Sequence, residues 1–106
     1  MGIYIAERKA GTMDATKIAR YYGSQEWVYK VLRRATATKF QRWKAMLRTN
    51  VVMDVDDVAE AMVRYAREMC CSEIERAAVA VHDACQAGDA TIDAKVDTLC
   101  EAIDRL

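Results

Sequence analysis

The sequence predicts an all-α protein, a small bundle or irregular helical domain of four to five helices. Three observations carry that expectation. The 106 residues contain no proline and only four glycines, too little turn punctuation for a sandwich or barrel. Hydrophobic residues make up 53% and charged residues 30%, the balance of a chain that folds. Apolar residues recur at steps of three and four along most of the length. The length suits a single helical domain over 1–106 with one modest core. No run of eighteen apolar residues exists, so no membrane span is expected.

The elements follow from caps and period. Residues 3–6 (IYIA) leave room for a short extended N-terminal arm. Thr12 or Asp14 then caps a helix that runs to Tyr22 and stops at Gly23. Ser24 caps the next, which stays helical toward Arg48, with a break or kink conceivable at Thr36 or Thr38. Val28, Leu32, Ala35, Thr36, Phe40, Trp43 and Leu47 form its expected inward face. Asp54 caps a third helix, with Asp56 and Asp57 in its first turn and Met53 and Val58 spaced as a hydrophobic staple. Its stripe slips by one residue after Met69, and Ser72-Glu73-Ile74-Glu75 has the capping-box pattern. Either a new helix starts there or one long bent helix runs to Gly88. Thr91 caps the last helix, whose stripe is Ile92, Val96, Leu99, Ile103 and Leu106. Trp43, Leu47, Val58, Met62, Tyr65, Ile74, Val81, Val96, Leu99 and Ile103 are expected to make most of the core.

A net charge of zero conceals a polarity. Residues 1–50 hold 11 Lys and Arg against 3 Asp and Glu, while residues 51–106 hold 5 against 13. All aromatic residues except Tyr65 lie in the basic half. Such a chain engages an anion with one half, engages a cationic surface with the other, or pairs the two.

Catalytic chemistry has little to work with. The single histidine, His82, has Cys85 one turn on but no further ligands at zinc spacing, so no metal or other cofactor is expected. Ser24 and Ser72 sit at cap positions, and no phosphate loop, Rossmann fingerprint or His-Glu-x-x-His pattern occurs. The four cysteines show no Cys-x-x-Cys spacing, and Cys70 and Cys71 are adjacent. Free thiols and a start lacking an apolar signal segment make the cytoplasm the expected compartment.

A basic stripe is the strongest functional feature. Lys30, Arg33, Arg34, Gln41, Lys44 and Arg48 fall within about 60° of one line on a continuous helix. The expected placement is opposite the Val28–Leu32–Trp43–Leu47 face, where such a row follows phosphates and releases counterions. Tyr21, Tyr22 and Trp27 lie nearby in sequence and offer stacking surfaces.

Residues 16–34, TKIARYYGSQEWVYKVLRR, resemble a helix-turn-helix. Ala19 is followed four residues later by Gly23, then by a polar-started helix with Val28 and Leu32 inward. The resemblance implies a second helix that enters the major groove by its N-terminal residues. It departs from the pattern in a turn one residue short and in Trp27 at a base-facing slot. The leading expectation is therefore a non-catalytic module whose basic, aromatic half binds nucleic acid or another phosphate-bearing ligand. The alternative is a small phage-type inhibitor, anti-CRISPR-like in size and style. It would bind a protein target through the acidic face of Asp54, Asp56, Asp57, Glu60, Glu68, Glu73 and Glu75. Head-to-tail pairing of the halves in a homo-oligomer is a third reading.

Overall fold

In the computed structural model, which describes residues 13–49 and 54–106, Asp14 rather than Thr12 caps the first helix. Its Oδ1 accepts the N–H groups of Thr16 at 3.0 Å and Lys17 at 3.2 Å, satisfying two orphan donors of α1 (Ala15–Tyr22). The expected arm at 3–6, Thr12 and the Met53 half of the staple lie outside the described residues. Gly23 ends α1 with φ +122°, a conformation side chains resist.

Next comes α2 (Glu26–Thr49), unbroken for 24 residues. It starts two residues after Ser24, because the Gln25 carbonyl accepts the first helical N–H groups, from Val28 and Tyr29. No break occurs at Thr36 or Thr38. The Thr38 hydroxyl donates to the Arg34 carbonyl at 3.0 Å, satisfying itself within the helix instead of recapping it.

The acidic half forms three further helices: α3 (Val55–Glu68), α4 (Ser72–Ala87) and α5 (Ile92–Asp104). Of the two alternatives for 55–87, the structure takes the break. Cys70 adopts φ +61°, Cys71 N–H donates to the Ala66 carbonyl at 2.8 Å, and Cys70 N–H donates to the Arg67 carbonyl. That is a Schellman turn with a cysteine where glycine is usual. The turn is so short that Cys71 takes the N-cap position and Ser72 is already helical, so the capping box does not form. The Gly88 turn repeats the pattern, with Asp89 N–H on the Ala84 carbonyl. Thr91 flanks α5 as expected but caps nothing with its side chain; Asp89 Oδ1 instead accepts Thr91 N–H at 2.8 Å.

Helices α2 to α5 close a four-membered ring. Each packs on the next and α5 packs back on α2, while the backbones of the diagonal pairs stay farther apart. Cross-helix pairs show antiparallel neighbours: Asp56 with His82, Glu73 with Arg105, and Arg48 with Asp97. The result is an up-down-up-down four-helix bundle. Phe40, Met62, Ile74, Val81, Leu99 and Ile103 fill its centre. α1 leans on the start of α2 and is tied to the α3–α4 turn by Asp14 N–H on the Cys70 carbonyl at 2.9 Å. The buried Tyr29 hydroxyl donates to the Met13 carbonyl at 3.1 Å, and Tyr22 donates to the Glu68 carbonyl.

The rotation of α2 differs from the expected one. Its buried residues are Tyr29, Thr36, Phe40 and Leu47, while Ala35 is exposed and Val28, Leu32 and Trp43 are half-buried. The inward line is therefore turned by about 45° toward Tyr29, at 100° per residue. The cause is the seat of α2 between two helices: it must cover α3 on one flank and α5 on the other.

Candidate anion-binding face

The rotation carries the basic stripe to the flank of α2, beside α5, and not to the side opposite the core. There most of the stripe meets partners from the same chain. Arg33 donates through Nε and Nη2 to the main-chain oxygen of Leu106, at 3.2 and 2.7 Å. Gln41 Nε2 and Lys44 Nζ both reach Asp104 Oδ1, at 3.3 and 2.7 Å. Arg48 Nη1 lies 2.7 Å from Asp97 Oδ1. Lys30 pairs with Glu26 one turn back at 2.9 Å. The Lys44 and Gln41 hydrogen bonds hold the Asp104 carboxyl below its ordinary range, and the hydrogen bond to Asp97 raises Arg48. These pairs lie at the solvent-facing surface, where screening leaves them weak, and a competing anion can displace them.

Arg34 alone of the six escapes this pairing. It faces outward with two cations the sequence reading left out, Lys39 and Arg42. Together with Val31, Ala35, Thr38 and Tyr65 of α3 they line an open groove of about 540 Å³. No carboxylate lies in the lining, and neither Arg34 nor Arg42 makes an ion pair among the described residues. The Lys39 ammonium sits over the Trp43 and Tyr65 rings, 5.0 and 5.7 Å from their centroids. This cation–π seat fixes a positive charge at one wall of the groove. The rings beneath pack against Phe40, Tyr65 edge-on and Trp43 tilted, with centroids 5.4 and 5.7 Å from it.

The groove belongs to a longer surface. Trp27, Val31, Arg34, Thr38, Arg42, Ala45 and Thr49 are all exposed and follow steps of 4-3-4-4-3-4. They form one line on α2, about 180° from the buried one and about 33 Å long. That spacing was present in the sequence but was masked by the assumption that Ala35 pointed inward. Trp27 stands at the head of this line, 63% exposed, its Nε1–H donating to Gln25 Oε1. Tyr21 and Tyr22 remain at the α1–α2 turn, 68% and 45% exposed. Residues 16–34, which resemble a helix-turn-helix, become α1, the three-residue turn 23–25 and the first turns of α2.

The acidic set is largely engaged within the fold. Asp54 caps α3, accepting from Asp56 N–H. Asp56 takes His82 Nδ1 on one oxygen and Gln86 Nε2 on the other. Glu60 pairs with Arg64, Glu75 with Arg67 and Glu73 with Arg105. Asp57 and Glu68 are exposed and make no ion pair among the described residues.

All four cysteines are unpaired. Burial pushes the Cys71 thiol up to about 12, and burial also raises Cys70, Cys85 and Cys100. Thiols so shifted carry little thiolate at neutral pH, and the thiolate is the nucleophile. Among the described residues no three His, Cys, Asp or Glu side chains converge as metal ligands, and no helix is long and apolar enough to cross a membrane. Comparison of the chain with protein-family models, with curated proteins and with solved structures returned no match in any of the three.

Proposed function

We propose that this four-helix bundle is a non-catalytic binding module that engages an anionic ligand through the outer face of α2. One observation carries the reading: Arg34, Lys39 and Arg42 converge on a groove with no carboxylate among the described residues that line it, while the neighbouring Lys44 and Arg48 are neutralised by α5. Cations left without counter-charges beside a low-dielectric floor focus potential and attract anions. Phosphate-bearing chains such as nucleic acid, and acidic polypeptides, carry the complementary charge. Trp27 at the head of the line and Tyr21 and Tyr22 at the turn add stacking surface. Lys44 and Arg48 can join a bound polyanion by releasing their exposed partners on α5.

The alternative, inhibition of a protein target through the acidic face, draws less support. Five of its seven carboxylates already serve a cap or a side-chain pair within the fold.

The test is a panel of polyanions titrated against salt: duplex DNA, single-stranded DNA, RNA and polyglutamate. The expected result is binding to at least one, with affinity falling steeply as salt rises. Failure of all four to bind at low salt overturns the reading.

A further inference from the structure

The outer line of α2 holds more than charge. Val31 is 55% exposed and with Trp27 places large apolar side chains at the N-terminal end of this face, while Met46, 42% exposed, lies about 80° round the helix on the Lys39 side. Beyond Val31, Ala35, Thr38 and Ala45 are small and exposed. The relief is a shallow saddle, raised at the Trp27–Val31 end and low across the small residues, where a second helix can approach closely. Arg34 and Arg42 flank the saddle, eight residues and so about 12 Å apart along the axis. Lys39 stands over the Tyr65 ring on the α3 side.

We infer that this face seats an acidic amphipathic helix of a partner protein. This rests on the anionic reading above and narrows it to one class of ligand. An apolar stripe on the partner would cover Val31, Ala35, the Thr38 methyl and the Tyr65 ring. Carboxylates flanking that stripe would meet Arg34, Lys39 and Arg42, the helix-in-groove mode of recognition. A phosphate backbone would satisfy the same three cations but leave Val31 and Ala35 covering nothing apolar. A second copy docking by the same face is disfavoured, because it would bring six cations together with no counter-charge. Trp and Arg, the residue types that dominate interface energetics, stand at the head and flanks of the face.

The experiment is a selection of displayed helical peptides of about 20 residues against the full chain. Peptides that also bind the Arg34→Glu/Arg42→Glu variant are removed. Both substitutions are on exposed helix positions, and a far-ultraviolet spectrum checks that the variant is folded. The expected survivors carry Asp or Glu beside Leu, Ile or Phe at helical spacing, and Val31→Ser weakens them about tenfold. Survivors that are basic or unpatterned overturn the inference, as does the absence of any survivor. A single-stranded oligonucleotide of about 20 nucleotides runs in parallel. If it binds in an Arg34- and Arg42-dependent way and no peptide survives, the helix-docking inference fails while the anionic reading stands. If neither ligand depends on these residues, both fail.

Discussion

Lys44 and Asp104 form a two-point contact, Nζ lying 2.7 and 2.9 Å from the two carboxylate oxygens across the α2–α5 seam. The carboxylate also accepts from Gln41 and is held below its ordinary range mainly by the Lys44 hydrogen bond. A depressed carboxyl favours the folded state above its unfolded value, near 4, and loses that contribution as pH falls through the folded value. Stability is thus expected to decline as pH drops below about 4, and Asp104→Asn should flatten that decline. Chemical denaturation at pH 3 and pH 7 checks it; an unchanged pH dependence in the variant contradicts it.

The α3–α4 turn stores strain at Cys70, whose φ of +61° is one that a β-carbon resists. Cys70→Gly is expected to relieve about 1 kcal/mol, partly offset by the greater entropy of glycine in the unfolded chain. Denaturation midpoints of the two proteins check it. A loss of more than about 1 kcal/mol would show that the half-buried Cys70 thiol packs more tightly than its surroundings suggest.

Phe40 is the largest fully buried side chain among the described residues and joins α2 to α3 through the Tyr65 ring. Phe40→Ala is expected to cost about 3–5 kcal/mol, since a cavity adds to the lost transfer energy. Ala35→Ser, five residues away but exposed, should change stability by about half a kcal/mol or less. The pair tests the rotation of α2, and equal effects would refute it.

Thiol accessibility offers a separate check. Cys71, fully buried and pushed up to about 12, should resist alkylation in the native state at pH 8, and Cys100 should react slowly. Mass spectrometry after timed labelling reads this directly. Because these thiols are raised, the sign with pH is the reverse of that for Asp104. Their contribution is complete below the unfolded thiol value and is lost as pH climbs toward the folded one, so alkali above about pH 9 should destabilise the protein.

Helix boundaries were legible in the sequence where side-chain chemistry determined them. Asp14, Gly23, Asp54 and Gly88 each act in the structure as their residue types predict. The α3–α4 break was visible as a one-residue slip in the stripe, but its cap was not, because a cysteine carries the left-handed position. Facing was harder to read. α2 covers two helices at once, so its buried line follows the bisector between α3 and α5, and a single-helix pattern cannot report that direction. The same rotation explains why five members of the basic stripe have partners in the chain, whereas Lys39 and Arg42 entered the groove unannounced.

The central claim is that the functional cations are those facing away from the bundle. Two double variants separate them from the α5-paired ones: Arg34→Ala/Arg42→Ala and Lys44→Ala/Arg48→Ala. The measurement is the salt dependence of affinity for single-stranded DNA and for polyglutamate, whichever the native protein binds. For the DNA strand, the first pair should flatten the slope by about 1.4, two contacts at about 0.7 each. The second pair should change it by less, because those cations must first leave Asp104 and Asp97. A larger loss from Lys44→Ala/Arg48→Ala, or no difference between either variant and the native protein, would contradict the account.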